Sequence, residues 1–177
     1  MKLRRLLFWT LCCALGFFGK TLISPVTNLL SDIMHIPGGF GTAFSVMFLV
    51  IAADCMPKFG CCALMGLVQG MLALITGRIG SMGLLAPLGY IVPGIIIDLA
   101  LLFFRSVRLS RFLRMSLANA LASASAALTA NLIVFSRSGK ELLIYIATSA
   151  LCGFVCGALG SRVAYLAERA VGIKVGK

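Results

Sequence analysis

Acidic side chains are scarce. Five Asp and Glu stand against 16 Lys and Arg in 177 residues, and histidine occurs once. The rings of acidic or other like charges that line ion-channel filters are therefore missing. The GxxxxGK[ST] phosphate loop is also absent, so the chain does not hydrolyse ATP through a Walker site. There is no HExxH pair, no GxSxG nucleophile elbow and no histidine paired with Ser or Cys at membrane depth. An intramembrane aspartyl enzyme needs two carboxylates that meet, which leaves only Asp54 and Asp98, both expected on the inner side. Seven cysteines, at 12, 13, 55, 61, 62, 152 and 156, show no CxxC spacing and no neighbouring histidine. They read as small, soft packing residues and not as metal ligands.

What the chain does have is hydrocarbon. Hydrophobic residues make up 60% of it, charged ones 12%, and the mean hydropathy is +1.06, values that belong to an integral membrane protein. A formal charge of +11 raises the question of nucleic acid. The basic residues are instead dispersed between apolar runs, as a topology signal requires, and do not form one patch with interleaved aromatics. Met1 to Arg5 followed by an apolar run imitates a signal peptide, but no small-x-small cleavage site follows and further spans continue the chain. The run is read as the first transmembrane helix.

Charges, glycines and prolines divide the chain into six expected helices, about 6–23, 39–56, 58–77, 84–104, 112–135 and 141–166, each near the ~20 residues of a bilayer span. Residues 1–177 thus form a single all-α domain of six transmembrane helices. With the N-terminus in the cytoplasm, twelve of the sixteen basic residues fall inside and only Lys20, Arg78, Arg137 and Lys140 outside. Both termini are therefore expected to be cytoplasmic. The first connection, "SPVTNLLSDIMHIPGG", is the one long loop, with room for a turn of interfacial helix.

Ala118, Ala122, Ala126 and Ala130 recur every four residues in the fifth span, and Cys152, Cys156 and Gly160 repeat the device in the sixth. These faces suit close helix packing. Polar groups at depth are more telling, because an unpaired hydrogen-bonding group in hydrocarbon is costly. Counted inward from the outer surface at 1.5 Å per residue, Asn131 lies roughly 7–8 Å deep, Tyr90 roughly 10 Å, and Gln69 and Thr148 roughly 12 Å. Thr76 shares the face of Gln69, and Tyr145 that of Thr148. Two readings stand: a pocket for a small, flat, polar molecule, or helix-to-helix hydrogen bonds. Asp98, below the middle of the fourth span, is expected to be satisfied by Asn119 or by an inner-side arginine, with a proton relay as the alternative. Asp54 and Lys58 are expected to form a solvated or interfacial pair. Asn28 and His35 lie in the first outer connection, which either caps the pocket or is an ordinary loop.

Two stretches, "MPKFGCCALMGLVQGMLAL" (56–74) and "APLGYIVPGIIIDL" (86–99), together with six short helices and no ATP-hydrolysing motif, resemble the S components of energy-coupling factor (ECF) vitamin transporters, within the hydroxymethylpyrimidine/thiamine-related group. The similarity runs over nearly the whole chain. It implies a non-enzymatic binding subunit in the cytoplasmic membrane that captures a vitamin or precursor from outside. It would deliver this ligand by reorienting on a T component driven by two ATPase subunits, which use the ATP. The chain itself would hold no cofactor or metal. By position, the resemblance places Gln69, Tyr90, Asn131 and Thr148 around the ligand, beneath the first outer loop. S components often dock through Ala-x-x-x-Ala on the first helix, and Cys12-x-x-x-Gly16 is the nearest match here. The competing readings are a non-catalytic membrane assembly subunit and an intramembrane enzyme.

Overall fold

Apolar runs interrupted by glycine, proline and charge fold, among the described residues of the computed structural model, as six α-helices: α1 (Lys2–Met34), α2 (Phe40–Cys55), α3 (Cys61–Ile75), α4 (Ala86–Ser106), α5 (Arg111–Ala130) and α6 (Lys140–Val171). A 3₁₀ stretch, Gly80–Leu85, leads into α4, and a π-helical turn, Asn131–Phe135, extends α5. The structure describes residues 2–34, 40–55, 58–77, 80–107, 109–135 and 139–171, and no strand occurs among them.

The helices alternate in direction. Gly16 and Gly19 of α1 meet Ser45 and Phe44 of α2, while Gly41 meets Ser24 and Thr27. Gly66 and Gly94 bring α3 and α4 together head to tail, and Gly153 and Gly157 do the same for α6 against α5. The start of α1 and the end of α6 therefore lie at the same end of the bundle. α2 is the hub: it packs against all five other helices, and every residue from Leu49 to Cys55 is buried.

Among the described residues, four helical segments, Leu3–Thr27, Met82–Ser106, Arg111–Ile133 and Lys140–Arg169, are long and apolar enough to cross a bilayer, while α2 and α3 are shorter apolar helices. The outward faces carry bare hydrocarbon, including Leu7, Leu11, Phe18 and Leu22 of α1 and Leu143, Leu151 and Leu159 of α6. The architecture is that of a helical membrane protein.

The expected boundaries of the last five helices lie within a few residues of those observed. The first does not. α1 runs through Pro25 to Met34, so most of the expected long loop is helix. Pro25 removes one backbone N–H, and the side chains around it make local bonds: Ser24 Oγ donates to the Lys20 carbonyl at 2.7 Å and Thr27 Oγ1 to the Ser24 carbonyl at 3.1 Å. Packing of Ser24 and Thr27 on Gly41 then holds this half of α1 on α2, so the proline is tolerated as an interruption and does not end the helix.

The small-residue face of α5 is buried as its spacing implies. Ala118 and Ala122 are fully enclosed, with Ser116, Asn119 and Ser123 beside them. Asn119 Nδ2 donates to the carbonyls of Gly153 at 2.7 Å and Ala43 at 3.3 Å, tying α5 to α6 and α2.

Candidate functional site

Polar groups from four helices converge on one point. Gln69 of α3 is completely buried, and its Nε2 donates to the Cys13 carbonyl of α1 at 3.0 Å. Its Oε1 is buried without a hydrogen-bond partner. The side chain borders a void of about 10 Å³, lined also by Lys20 of α1, Thr42 and Ser45 of α2, and Tyr90 and Pro93 of α4. Lys20 Nζ donates to the Tyr90 hydroxyl at 3.2 Å and stands 4.3 Å from the ring centroid. An amide, two hydroxyls, a phenol and an ammonium thus face a space the size of one water molecule.

Local sequence explains the convergence. Gly66 and Gly70, one turn apart and flanking Gln69, let α3 approach the backbone of Tyr90 and Pro87, which brings Tyr90 and Gln69 to one level. Gly16 leaves room for the amide: a Cβ there would lie 2.6 Å from Gln69 Nε2.

Of the six residues expected around a ligand, Gln69 and Tyr90 share this void. The other four do not line it. Thr76 is exposed at the C-terminal cap of α3 and bonds to its own backbone at Leu72. Asn131 is buried, but its Nδ2 donates to the Ala127 carbonyl of its own helix at 2.8 Å. Thr148 bonds back to Ile144 at 2.7 Å, and Tyr145 is half-buried on the same helix. These residues were grouped by expected depth along the helix axis, whereas the direction in which each helix faces separates them. The cluster forms on α1–α4, whereas the expected one drew on α3–α6. His35 and the side chain of Asn28 lie outside the described residues. Lys20, Thr42 and Ser45 were missed. The usable signal was a lysine between two apolar runs in "FFGKTLI", which a helix end placed at residue 23 turned into an interfacial charge.

Cys12 and Gly16, expected on a docking face, are both turned inward. Cys12 is 3% exposed within the core, and Gly16 abuts Gln69, Ser45 and Phe48.

The two deep carboxylates find partners other than those expected. Among the described residues, Asp98 is not held by Asn119, whose Nδ2 donates to the Ala43 and Gly153 carbonyls; Asp98 binds backbone amides. It accepts the backbone N–H groups of Cys62 at 3.3 Å and Ala63 at 3.1 Å, the second and third residues of α3. α4 thereby supplies the N-terminal cap that Gly60 has no side chain to provide. Asp54 pairs not with Lys58 but with Arg111, whose Nε donates to Oδ2 at 2.8 Å, and with Arg114 at 3.2 Å. Arg111 also holds Glu168 through two bonds of 2.8 and 2.7 Å. This network joins the ends of α2, α5 and α6 at the opposite end of the bundle from the void.

Among the described residues, no group of three or more His, Cys, Asp or Glu is placed to hold a metal ion. Compared with known proteins, the chain matches no protein-family model, no curated protein and no solved structure.

Proposed function

We propose that the protein is the substrate-binding S component of an ECF-type importer. On this reading it spans the cytoplasmic membrane with six helices and cytoplasmic termini, and takes up a vitamin or vitamin precursor from outside. A T component and two ATPase subunits would be its partners and would use the ATP, with this chain acting as a binding protein and not an enzyme.

The observation that carries the reading is the buried, unpartnered Gln69 Oε1 at a void shared with Tyr90, Lys20, Thr42 and Ser45. An orphaned amide oxygen in a membrane interior is costly, and a ligand N–H or O–H offsets that cost. Pockets for small organic ligands reach roughly 300 Å³ or more, so binding requires the void to open. α1 is the element suited to move, since it packs chiefly on α2 and only lightly on α3. Lys20 in the wall favours a neutral pyrimidine precursor over a cationic ring such as thiamine.

The test is a thermal-shift screen of the detergent-purified protein against vitamins and their precursors, because a ligand of the folded state raises its melting temperature by mass action. A saturable shift with one compound, abolished in Gln69→Ala protein that still melts cooperatively, supports the reading. A folded protein that responds to nothing in the panel would turn the assignment towards a membrane assembly subunit, with the Gln69–Cys13 bond serving as helix glue.

A further inference from the structure

Asp98, Leu101, Leu102 and Arg105 recur at the three- and four-residue spacing that sets side chains on one face of a helix. This face of α4 borders a partly open cavity of about 430 Å³, whose other wall is Ala53 at the end of α2 with Lys58 and Phe59 in the α2–α3 turn. The cavity lies at the end of the bundle that carries the Asp54–Arg111–Glu168 network, away from the void at Gln69.

Its chemistry changes with depth. Asp98 lies innermost, roughly 10 Å along the helix from Arg105. Both of its oxygens already accept α3 amides, so they are turned to α3 and are engaged there. Leu101 and Leu102 form an apolar middle. Arg105 and Lys58, both exposed, mark the mouth. Phe59 and Leu102 flank it and are 67% and 60% exposed, bare hydrocarbon directly beside two cations. In a bilayer, that juxtaposition belongs at the boundary between acyl chains and headgroups.

A molecule that satisfies both walls is negative at one end and hydrocarbon at the other. We propose that this cavity binds an anionic phospholipid, with the phosphate between Lys58 and Arg105 and the upper part of one acyl chain against Phe59, Leu101 and Leu102. The assignment is independent of what the void at Gln69 binds.

The test places the full-length protein in nanodiscs of phosphatidylcholine and phosphatidylglycerol in equal parts and measures retained lipid by native mass spectrometry. Wild-type protein retains phosphatidylglycerol preferentially. Lys58→Gln and Arg105→Gln each reduce that retention about fivefold, and the double variant roughly thirtyfold. Lys140→Gln, at the opposite end of the bundle, leaves it unchanged. Leu102→Trp, which obstructs the mouth and keeps both cations, also reduces it. Thermal melts confirm that each variant is folded. Equal retention of the two lipids, or undiminished phosphatidylglycerol on the double variant, overturns the proposal. Glycerol 3-phosphate that binds the detergent-purified protein as tightly as the lipid does would also overturn it, because the hydrocarbon would then contribute nothing.

Discussion

Gly94 of α4 lies directly against the backbone of Cys62 at the start of α3, so close that a Cβ on Gly94 would stand 2.5 Å from the Cys62 carbonyl oxygen. One turn further along α4, Asp98 reaches the amides of Cys62 and Ala63. The close approach and the cap are parts of one joint between the two helices.

Gly94→Ala is therefore expected to force the helices apart and to weaken the cap as well, at a cost of about 2–3 kcal/mol. The obstacle is backbone and cannot rotate away. Gly89→Ala is the control: its Cβ would meet the Met82 sulfur at 2.8 Å, a flexible side chain able to yield. Melting temperatures in detergent should fall clearly for the first variant and little for the second.

Replacing Asp98 tests the cap against a proton-relay role. Asp98→Asn keeps an acceptor for one amide and should cost about 1 kcal/mol, whereas Asp98→Ala leaves two amides without their acceptor and should cost about 2 kcal/mol. Ligand-induced thermal shifts should survive in both. Uptake whose pH dependence disappears in Asp98→Asn while stability is unchanged would favour the relay.

Arg111 bridges Asp54 and Glu168. Arg111→Met should destabilise by about 2 kcal/mol, since the Asp54 side chain is only 3% exposed and, among the described residues, keeps Arg114 as its ion-pair partner. Glu168→Gln, at a partly exposed site, should cost less than about 1 kcal/mol. High salt should lower the melting temperature of the wild-type protein only slightly, because the Asp54 pair is shielded from counterions.

At the void, Lys20→Met and Gln69→Leu should separate. Gln69→Leu removes both the bond to Cys13 and the orphaned oxygen, so its effect on folding is small and its effect on ligand affinity large, about tenfold or more. Lys20→Met removes a charge from the wall and should improve the thermal shift given by cationic compounds relative to neutral ones. Matching losses of stability and affinity in Gln69→Leu would make the glutamine structural.

Helix number and most boundaries were legible because apolar length and small-residue spacing are properties of single segments. Ala118 and Ala122 declared a packing face by their period alone. Pro25 misled, because whether a proline ends a helix depends on the packing of Ser24 and Thr27 against α2. The partners of Asp98 were illegible for a related reason: they are backbone amides of another helix, and no residue type announces them. Gln69 and Tyr90, singled out by expected depth, share the void, while Asn131 and Thr148, expected at similar depth, face elsewhere. The sequence position gives height in a bundle without giving azimuth.

α2 and α3, with 16 and 15 residues, rise only about 24 and 22 Å, less than the ~30 Å of a bilayer's hydrocarbon. α2 is shielded by its neighbours, but α3 presents Leu64, Leu67, Val68, Met71 and Ile75 outward. On the proposed six-span topology, lipid alongside α3 is expected to shorten to match it, which predicts a local thinning of the membrane on that flank. Acyl-chain length thereby becomes a variable of its behaviour: short-chain bilayers fit the α3 flank, and thick ones press the bundle to tilt.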